Sequence, residues 1–296
     1  MDSSLLLQCE QLQLIGDNTI ANLISQGQEL LQPVSDSAKL DVEILLSFVL
    51  DKDRSYLLTW PEKQLSDEQC HSFLQLLASR LKGEPIAYLT GMKEFWSLPL
   101  KVSKATLIPR PDTETLIELV LEQFGQKENV SCLDLGTGTG AIALALASEK
   151  ATWIIDAVDF SSDAVQLART NANNCQLAHV NIFQSDWFAQ IDDFKKYDLI
   201  VSNPPYIDSE DINLEQGDVR FEPSSALIAE DNGLADIKHI AKTSCAFLNS
   251  QGQLFLEHGY EQGAAVREIL LNNGFENAQT AQDLNGHDRI TWAIFP

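Results

Sequence analysis

The segment from Val130 to Ala147 constrains the fold more than any other part of the chain. Val130 to Leu135 is a short apolar run, Asp134-Leu135-Gly136-Thr137-Gly138-Thr139-Gly140 turns the chain, and Ala141 to Ala147 is rich in alanine and leucine. Strand, glycine-rich turn and helix in that order form the first unit of a parallel α/β sheet. Glycines accept positive φ and let a ligand approach the backbone, so the turn suits a bound nucleotide-like cofactor. Its spacing is G-x-G-x-G, not the G-x-G-x-x-G of dinucleotide folds, and no Lys-Ser or Lys-Thr follows for a phosphate loop. Both departures argue against NAD and against ATP.

Three further strand ends add ligand groups. Trp153 to Val158 leads into Asp159, whose carboxylate suits both hydroxyls of an uncharged ribose and repels a 2′-phosphate. Val180 to Gln184 leads into Ser185-Asp186-Trp187, which sets an acid and a large aromatic beside the expected adenine position. Tyr197 to Ser202 leads into Asn203-Pro204-Pro205-Tyr206. In an open parallel sheet the carboxyl ends of the strands share one crevice, so these residues are expected to converge. Each has a plainer reading: Asp159 as a turn or cap residue before Ser161, Trp187 as a core aromatic, Asn-Pro-Pro as a turn. Their joint occurrence carries the argument.

The Asn203 to Tyr206 segment suits an NH2 group held for attack. An amide or arylamine nitrogen is a poor nucleophile because its lone pair is delocalised. Acceptors for both N–H groups fix the nitrogen in a reactive geometry. Asn203 offers a side-chain carbonyl, Pro204 a backbone carbonyl on a stretch stiffened by Pro204 and Pro205, and Tyr206 a flat face for a planar group.

The pairing of Asp134 to Gly140 with Asn203 to Tyr206 resembles the class I S-adenosylmethionine-dependent methyltransferases of exocyclic or amide nitrogens. Glu94-Phe-Trp-Ser-Leu-Pro-Leu-Lys-Val-Ser103 and Leu107-Ile-Pro-Arg-Pro-Asp-Thr-Glu114 are similar to the release-factor glutamine methyltransferase family (PrmC, also called HemK), with Asp at 112 where Glu is also common. The resemblance implies a Rossmann-like, mostly parallel seven-stranded sheet and transfer of methyl to N5 of the glutamine in the Gly-Gly-Gln motif of class I release factors. It implies that Gly136, Thr137, Gly138, Thr139, Gly140, Asp159, Trp187 and Asn203 bind S-adenosylmethionine. Asn203, Pro204, Pro205 and Tyr206 would hold the glutamine, with Asn203 and Pro204 catalytic. The competing readings are an adenine or guanine amino-methyltransferase of RNA or DNA, and a binding protein that has kept the fold.

Composition bears on these alternatives. A formal net charge of −23 opposes non-specific contact with a polyphosphate backbone. Lys93, Lys101, Lys104 and Arg110 are the concentrated basic stretch, either the solvated face of an alternating hairpin or a point of contact with a partner. The five cysteines, Cys9, Cys70, Cys132, Cys175 and Cys245, are scattered without C-x-x-C spacing, and the five histidines show no ligand pairing. Neither disulfides nor a metal is expected. No apolar run reaches the ~20 residues of a bilayer span, and Met1 to Glu10 lacks the features of a secretory signal. A cytoplasmic protein is expected, with no membrane partner.

The first part of the chain has another texture. Ile20 to Leu31, Ala38 to Leu50 and Asp67 to Leu81 repeat apolar residues at helical spacing, with Ser66 and Gln69 as a capping box. Residues 1–84 therefore read as a small helical, substrate-docking domain. Residues 85–106 read as a β-hairpin linker with strands at Ile86 to Leu89 and Phe95 to Val102, and 107–296 as the catalytic domain. Beyond the helix from Pro111 to Phe124, the stretch Ile207 to Leu227 reads as a loop, Gly233 to Leu248 and Glu261 to Asn272 as helices, and Gln253 to Glu257 and Arg289 to Phe295 as strands. Glu257 reads as a buried structural acid at least as readily as a site residue.

Overall fold

A computed structural model of the chain describes residues 17–215 and 217–296. Cys9 and the Met1 to Glu10 stretch lie outside the described residues. The chain divides into two compact units, residues 17–91 with 217–221, and residues 92–215 with 222–296.

The first unit is helical. Helices α1 (Ile20–Leu31), α2 (Ala38–Leu50), α3 (Arg54–Thr59), α4 (Asp67–Leu81) and α5 (Ile86–Thr90) surround a core that includes Leu23, Leu45, Phe73 and Leu77. The capping box is present at α4: Ser66 accepts from the Gln69 backbone and Gln69 returns to the Ser66 backbone. Where the sequence suggested a strand at Ile86 to Leu89, the chain is helical, entered at Pro85 and ended by Gly91 at φ 70°. The physical reason is packing: Ile86 and Leu89, three apart, share a helical face and lie against the helical core. Residues 217–221 join this unit through Arg220, which donates to the Lys82 carbonyl, and through Asp218, 3.5 Å from Arg80.

The second unit opens with a hairpin, β1 (Met92–Phe95) and β2 (Leu98–Lys101), and continues through a 3₁₀ turn (Pro111–Thr113) into α6 (Glu114–Phe124). Its sheet comprises β3 (Ser131–Leu135), β4 (Ile154–Asp159), β5 (Asn181–Gln184), β6 (Tyr197–Ser202), β7 (Leu248–Glu257), β8 (Glu276–Gln282) and β9 (Asp288–Ile294). The spatial order is β5-β4-β3-β6-β7-β9-β8, seven strands in all. β3 through β7 pair in parallel, and β9 runs antiparallel to both β7 and β8. This is the mostly parallel Rossmann-like sheet expected.

Helices α7 (Ala141–Glu149) and α8 (Ser162–Asn174) follow β3 and β4, while α9 (Ala235–Ser244) and α10 (Gly263–Asn272) flank β7. Residues 141–147 of α7 are all buried, which is why that segment is apolar all round and not striped. One apolar cluster lies on each face of the sheet, the first including Phe124 and Leu144, the second Ile200 and Leu254. The order reverses beside β3, where β4 continues to one side and β6 to the other, and ligand crevices form at such a point.

Candidate active site

The glycine turn after β3 is organised by its own neighbourhood. Gly136, Gly138 and Gly140 take φ of 70°, 56° and 85°, a region costly for any side chain. Beneath the turn, the fully buried Asp134 accepts at Oδ2 from the Thr137 hydroxyl (2.6 Å) and the Ala143 N–H (3.2 Å), which ties the turn to the first residues of α7. Its Oδ1 has no hydrogen-bond partner among the described residues. Burial pushes the Asp134 carboxyl up to about 7, against the hydrogen bonds from Thr137 and Ala143 and with the help of Asp159.

Asp159, at the end of β4, accepts from the Gly138 N–H and the Ser161 N–H, both at 2.9 Å. Burial raises its pKa while these two bonds lower it. Each carboxylate oxygen keeps acceptor capacity for a further donor. Past β5, Ser185 donates to the Trp187 carbonyl (2.7 Å) and accepts from the Gln190 N–H (3.0 Å), pinning Trp187 at φ 47°. A Cβ at Gly136 would lie 3.6 Å from the Trp187 ring, so the turn and the indole already flank one space.

The segment after β6 is held from farther away. Asn203 donates through Nδ2 to the Thr113 hydroxyl oxygen at 3.3 Å, across 90 positions of sequence. Tyr206 donates its phenol O–H to Glu257 Oε1 at 3.4 Å, and its backbone carbonyl accepts from Gln262 Nε2 at 3.0 Å. Burial, together with Glu257, drives the Tyr206 phenol well above its ordinary value. Glu257 is itself fully buried at the end of β7, and its carboxyl is pushed up to about 7 by burial.

One cavity of about 380 Å³ joins the two ends. Gly136, Thr137, Gly138, Thr139, Asp159, Trp187, Asn203 and Pro205 line it. Gly140, Pro204 and Tyr206 are not among the lining residues. Gly140 starts α7, where a Cβ would press on Leu144 and Ala168. Pro204 is buried, and the Tyr206 ring lies partly buried against the apolar cluster on one face of the sheet.

The sequence reading missed Thr113, a buried lining residue, although it falls inside the Leu107 to Glu114 motif. It missed Arg110 and Glu222 as well. Glu222 accepts from the Ile108 N–H (2.9 Å) and from Arg110 (2.5 Å), which fixes the motif against the wall. Partner and pocket wall are 112 positions apart, and no local pattern shows them. The loop before Leu227 contributes Ser225 and Ala226 to the lining. Three acids, Asp159, Asp186 and Asp236, and one cation, Arg110, face the cavity among the described residues.

The chain matches the PrmC N-terminal domain over residues 22–91 and the methyltransferase small domain over residues 111–233. It is 53% identical over 270 residues to the release factor glutamine methyltransferase of Aliivibrio fischeri, covering 90% of this chain and 95% of that one. The enzyme of the same name from Escherichia coli is 51% identical over 257 residues, covering 87% and 92%. Among solved structures, the 16S rRNA N2 G1207 methyltransferase of Thermus thermophilus, in complex with AdoMet and guanosine, superposes with a TM-score of 0.51 at 18% identity, covering 69% of this chain and 50% of that one. At that identity the likeness shows the fold.

Proposed function

The chain belongs to the release factor glutamine methyltransferase family, and on that premise we propose that it moves the methyl group of S-adenosylmethionine to N5 of the glutamine in the Gly-Gly-Gln motif of peptide-chain release factors. The single observation that supports the site assignment is the shared cavity, lined at one end by Gly136 to Thr139, Asp159 and Trp187 and at the other by Asn203. The cavity falls within the size range of small-molecule sites. Asp159 suits a ribose diol, the backbone of Gly136 to Gly140 a nucleoside amino acid at close range, and Trp187 an adenine face. Acidic lining also suits a sulfonium cation.

S-adenosylmethionine, when bound, supplies an electrophilic methyl group. The protein's share is position and exclusion of water. Asn203 offers its side-chain carbonyl and Pro204 its backbone carbonyl to the two N–H groups of the glutamine amide, which turns the nitrogen lone pair toward the incoming carbon. Pro205 forms part of the wall behind it. Tyr206 supports the segment from beneath, through its phenol and its carbonyl. No dedicated base is required, because an alkylated amide nitrogen that has lost conjugation is strongly acidic. The helical unit is the docking surface for the release factor, the reading supported by its match to the PrmC N-terminal domain. No helix among the described residues is long and apolar enough to cross a membrane.

Labelled S-adenosylmethionine tests the assignment, offered with release factor, with release factor in which the Gly-Gly-Gln glutamine is replaced, and with bulk RNA and DNA. Label should enter only the intact release factor. Label in nucleic acid would move the same cavity to a base amine.

A further inference from the structure

Gln262, half-buried at the residue before α10, has a side-chain amide whose orientation its neighbours fix. The Gly259 N–H donates to its Oε1 at 2.8 Å, and a backbone N–H can meet only the oxygen of such an amide. Nε2 is therefore turned to two carbonyls, that of Tyr206 at 3.0 Å and that of Asn232 at 3.1 Å. Gly259 is held in its turn. Its carbonyl accepts from the Gln262 N–H (2.9 Å) and from Nδ1 of the buried His258 (2.8 Å). A carbonyl only accepts, so the proton of that imidazole contact sits on Nδ1.

The two carbonyls stand on either side of a neck in the chain. There the Ile207 N–H donates to the Leu227 carbonyl (2.9 Å) and the Ala229 N–H to the Ile207 carbonyl (3.0 Å), around a parallel bridge of Ile207 with Ile228. Past the neck, Asp231, Asn232 and Gly233 take φ of 60°, 55° and 78° in succession. For residues with side chains that conformation is costly and persists only where the surroundings over-determine it. Lys238 pairs with Asp231, and Gln262 holds the Asn232 carbonyl. The turn packs against Tyr206 so closely that a Cβ on Gly233 would lie 2.0 Å from the Tyr206 carbonyl oxygen. Cavity wall adjoins the neck on both sides: Pro205 before it, Ser225 and Ala226 within it, and Asp236 in the first turn of α9 beyond it.

We propose that Gln262 is a positioning residue for methyl transfer, whose NH2 group staples the segment after β6 to the left-handed turn that opens α9. The inference rests on the reaction proposed above. Pro204 and Pro205 have their φ angles set by their rings, so few free torsions separate the Tyr206 carbonyl from the Pro204 carbonyl and Asn203. A hold on the first is thus a hold on the acceptors for the glutamine amide. Without the NH2 group the Tyr206 carbonyl loses a partner and the strained turn relaxes. The bonds that shape the glycine turn and Asp159 do not pass through Gln262, so the loss falls on turnover and spares the cofactor.

The test separates turnover from binding in two variants, with kcat on the release factor, calorimetric affinity for S-adenosylmethionine and melting temperature measured on each. Gln262→Glu keeps an acceptor for the Gly259 N–H and removes both donors, while Gln262→Met removes donors and acceptor at similar length. Each should lower kcat by about ten- to a hundredfold, the scale for misplaced reacting groups, with cofactor affinity within about twofold of wild type. Asn203→Ala combined with Gln262→Met should lose less than the product of the two single losses, because both act on one held amide. A residue that only supports the fold would give the full product. Wild-type kcat in Gln262→Met, an equal fall in cofactor affinity, or losses that multiply would each overturn the staple. If Gln262→Met does not fold, Gln262→Glu decides on the same terms, alone and combined with Asn203→Ala. A wild-type enzyme inactive on the release factor overturns the proposed function itself, a result distinct from active wild type with equally active variants.

Discussion

The two ends of the cavity are built on opposite plans. At the cofactor end, Asp134, Thr137, Gly138 and Asp159 support one another within a span of 25 residues, through bonds of 2.6 to 3.2 Å. At the other end, Asn203 leans on Thr113 and Tyr206 leans on Glu257 and Gln262, partners 90, 51 and 56 positions away, at 3.0 to 3.4 Å. The difference teaches that the end proposed for the cofactor is a locally folded cradle, whereas the end proposed for the reacting amide is a segment set from several distant elements. Local support tolerates change elsewhere in the chain. Remote support does not.

The largest break in that contrast should come from Gly233→Ala. A Cβ there would sit 2.0 Å from the Tyr206 carbonyl oxygen, and Gly233 has φ 78°, so overpacking and backbone strain combine at roughly 4 kcal/mol. Denaturant unfolding should show that loss, and a variant as stable as wild type would show that the segment after β6 is not held there. Next comes Asn203→Ala, expected to raise the barrier by ~2 to 4 kcal/mol while cofactor affinity stays near wild type. Single-turnover rates beside calorimetry measure both, and near-normal turnover would remove Asn203 from its orienting role.

Asp159→Ala should act in the opposite sense, weakening the cofactor by about 1.5 to 3 kcal/mol, as for hydrogen bonds to a charged acceptor. Unchanged affinity for S-adenosylmethionine would take Asp159 out of the ribose site. The smallest effect is one of pH. Asp134 has its carboxyl raised to about 7 from 3.8, so it contributes stability that is fully present below pH 3.8 and lost as pH rises through about 7. Glu257, raised to about 7 from 4.5, has the same sign, while His258, lowered from 6.5 by burial, has the reverse and loses its contribution as pH falls. Asp134→Asn should therefore gain on wild type between pH 5 and 8 in the cofactor-free protein. Parallel melting curves for the two proteins across that range would place the titrating charge elsewhere.

What could be read from the chain in advance follows the same divide. Helices Ile20–Leu31, Ala38–Leu50 and Asp67–Leu81 and the parallel strands announce themselves by periodicity, because each buries a continuous apolar face or stripe. Strand β8, Glu276–Gln282, went unread: it is an edge strand paired only with β9, its sequence ENAQTAQ is polar, and its alternation is correspondingly faint. Ile86 to Leu89 reads as strand because four residues cannot separate the two periods, and contact with the helical core decides for a helix over Ile86–Thr90. The bonds from Ile108 to Glu222 and from Gln262 to the Tyr206 carbonyl span 114 and 56 positions, and such contacts leave no local signal.

The sequence by itself determined the parallel α/β architecture, the glycine cradle with Asp159 and Trp187, and the presence of Asn203 at a strand end, since each depends on residues close together along the chain. Only the tertiary structure decided which face Asn203 turns to the cavity, that Tyr206 leans on Glu257 outside the cavity lining, and that Thr113 and Arg110 complete the wall, with Arg110 bound to Glu222. Hydrogen-bond direction and side-chain burial are set by whichever groups the fold brings within about 3 Å, and proximity across the sheet leaves no periodicity in the order of residues.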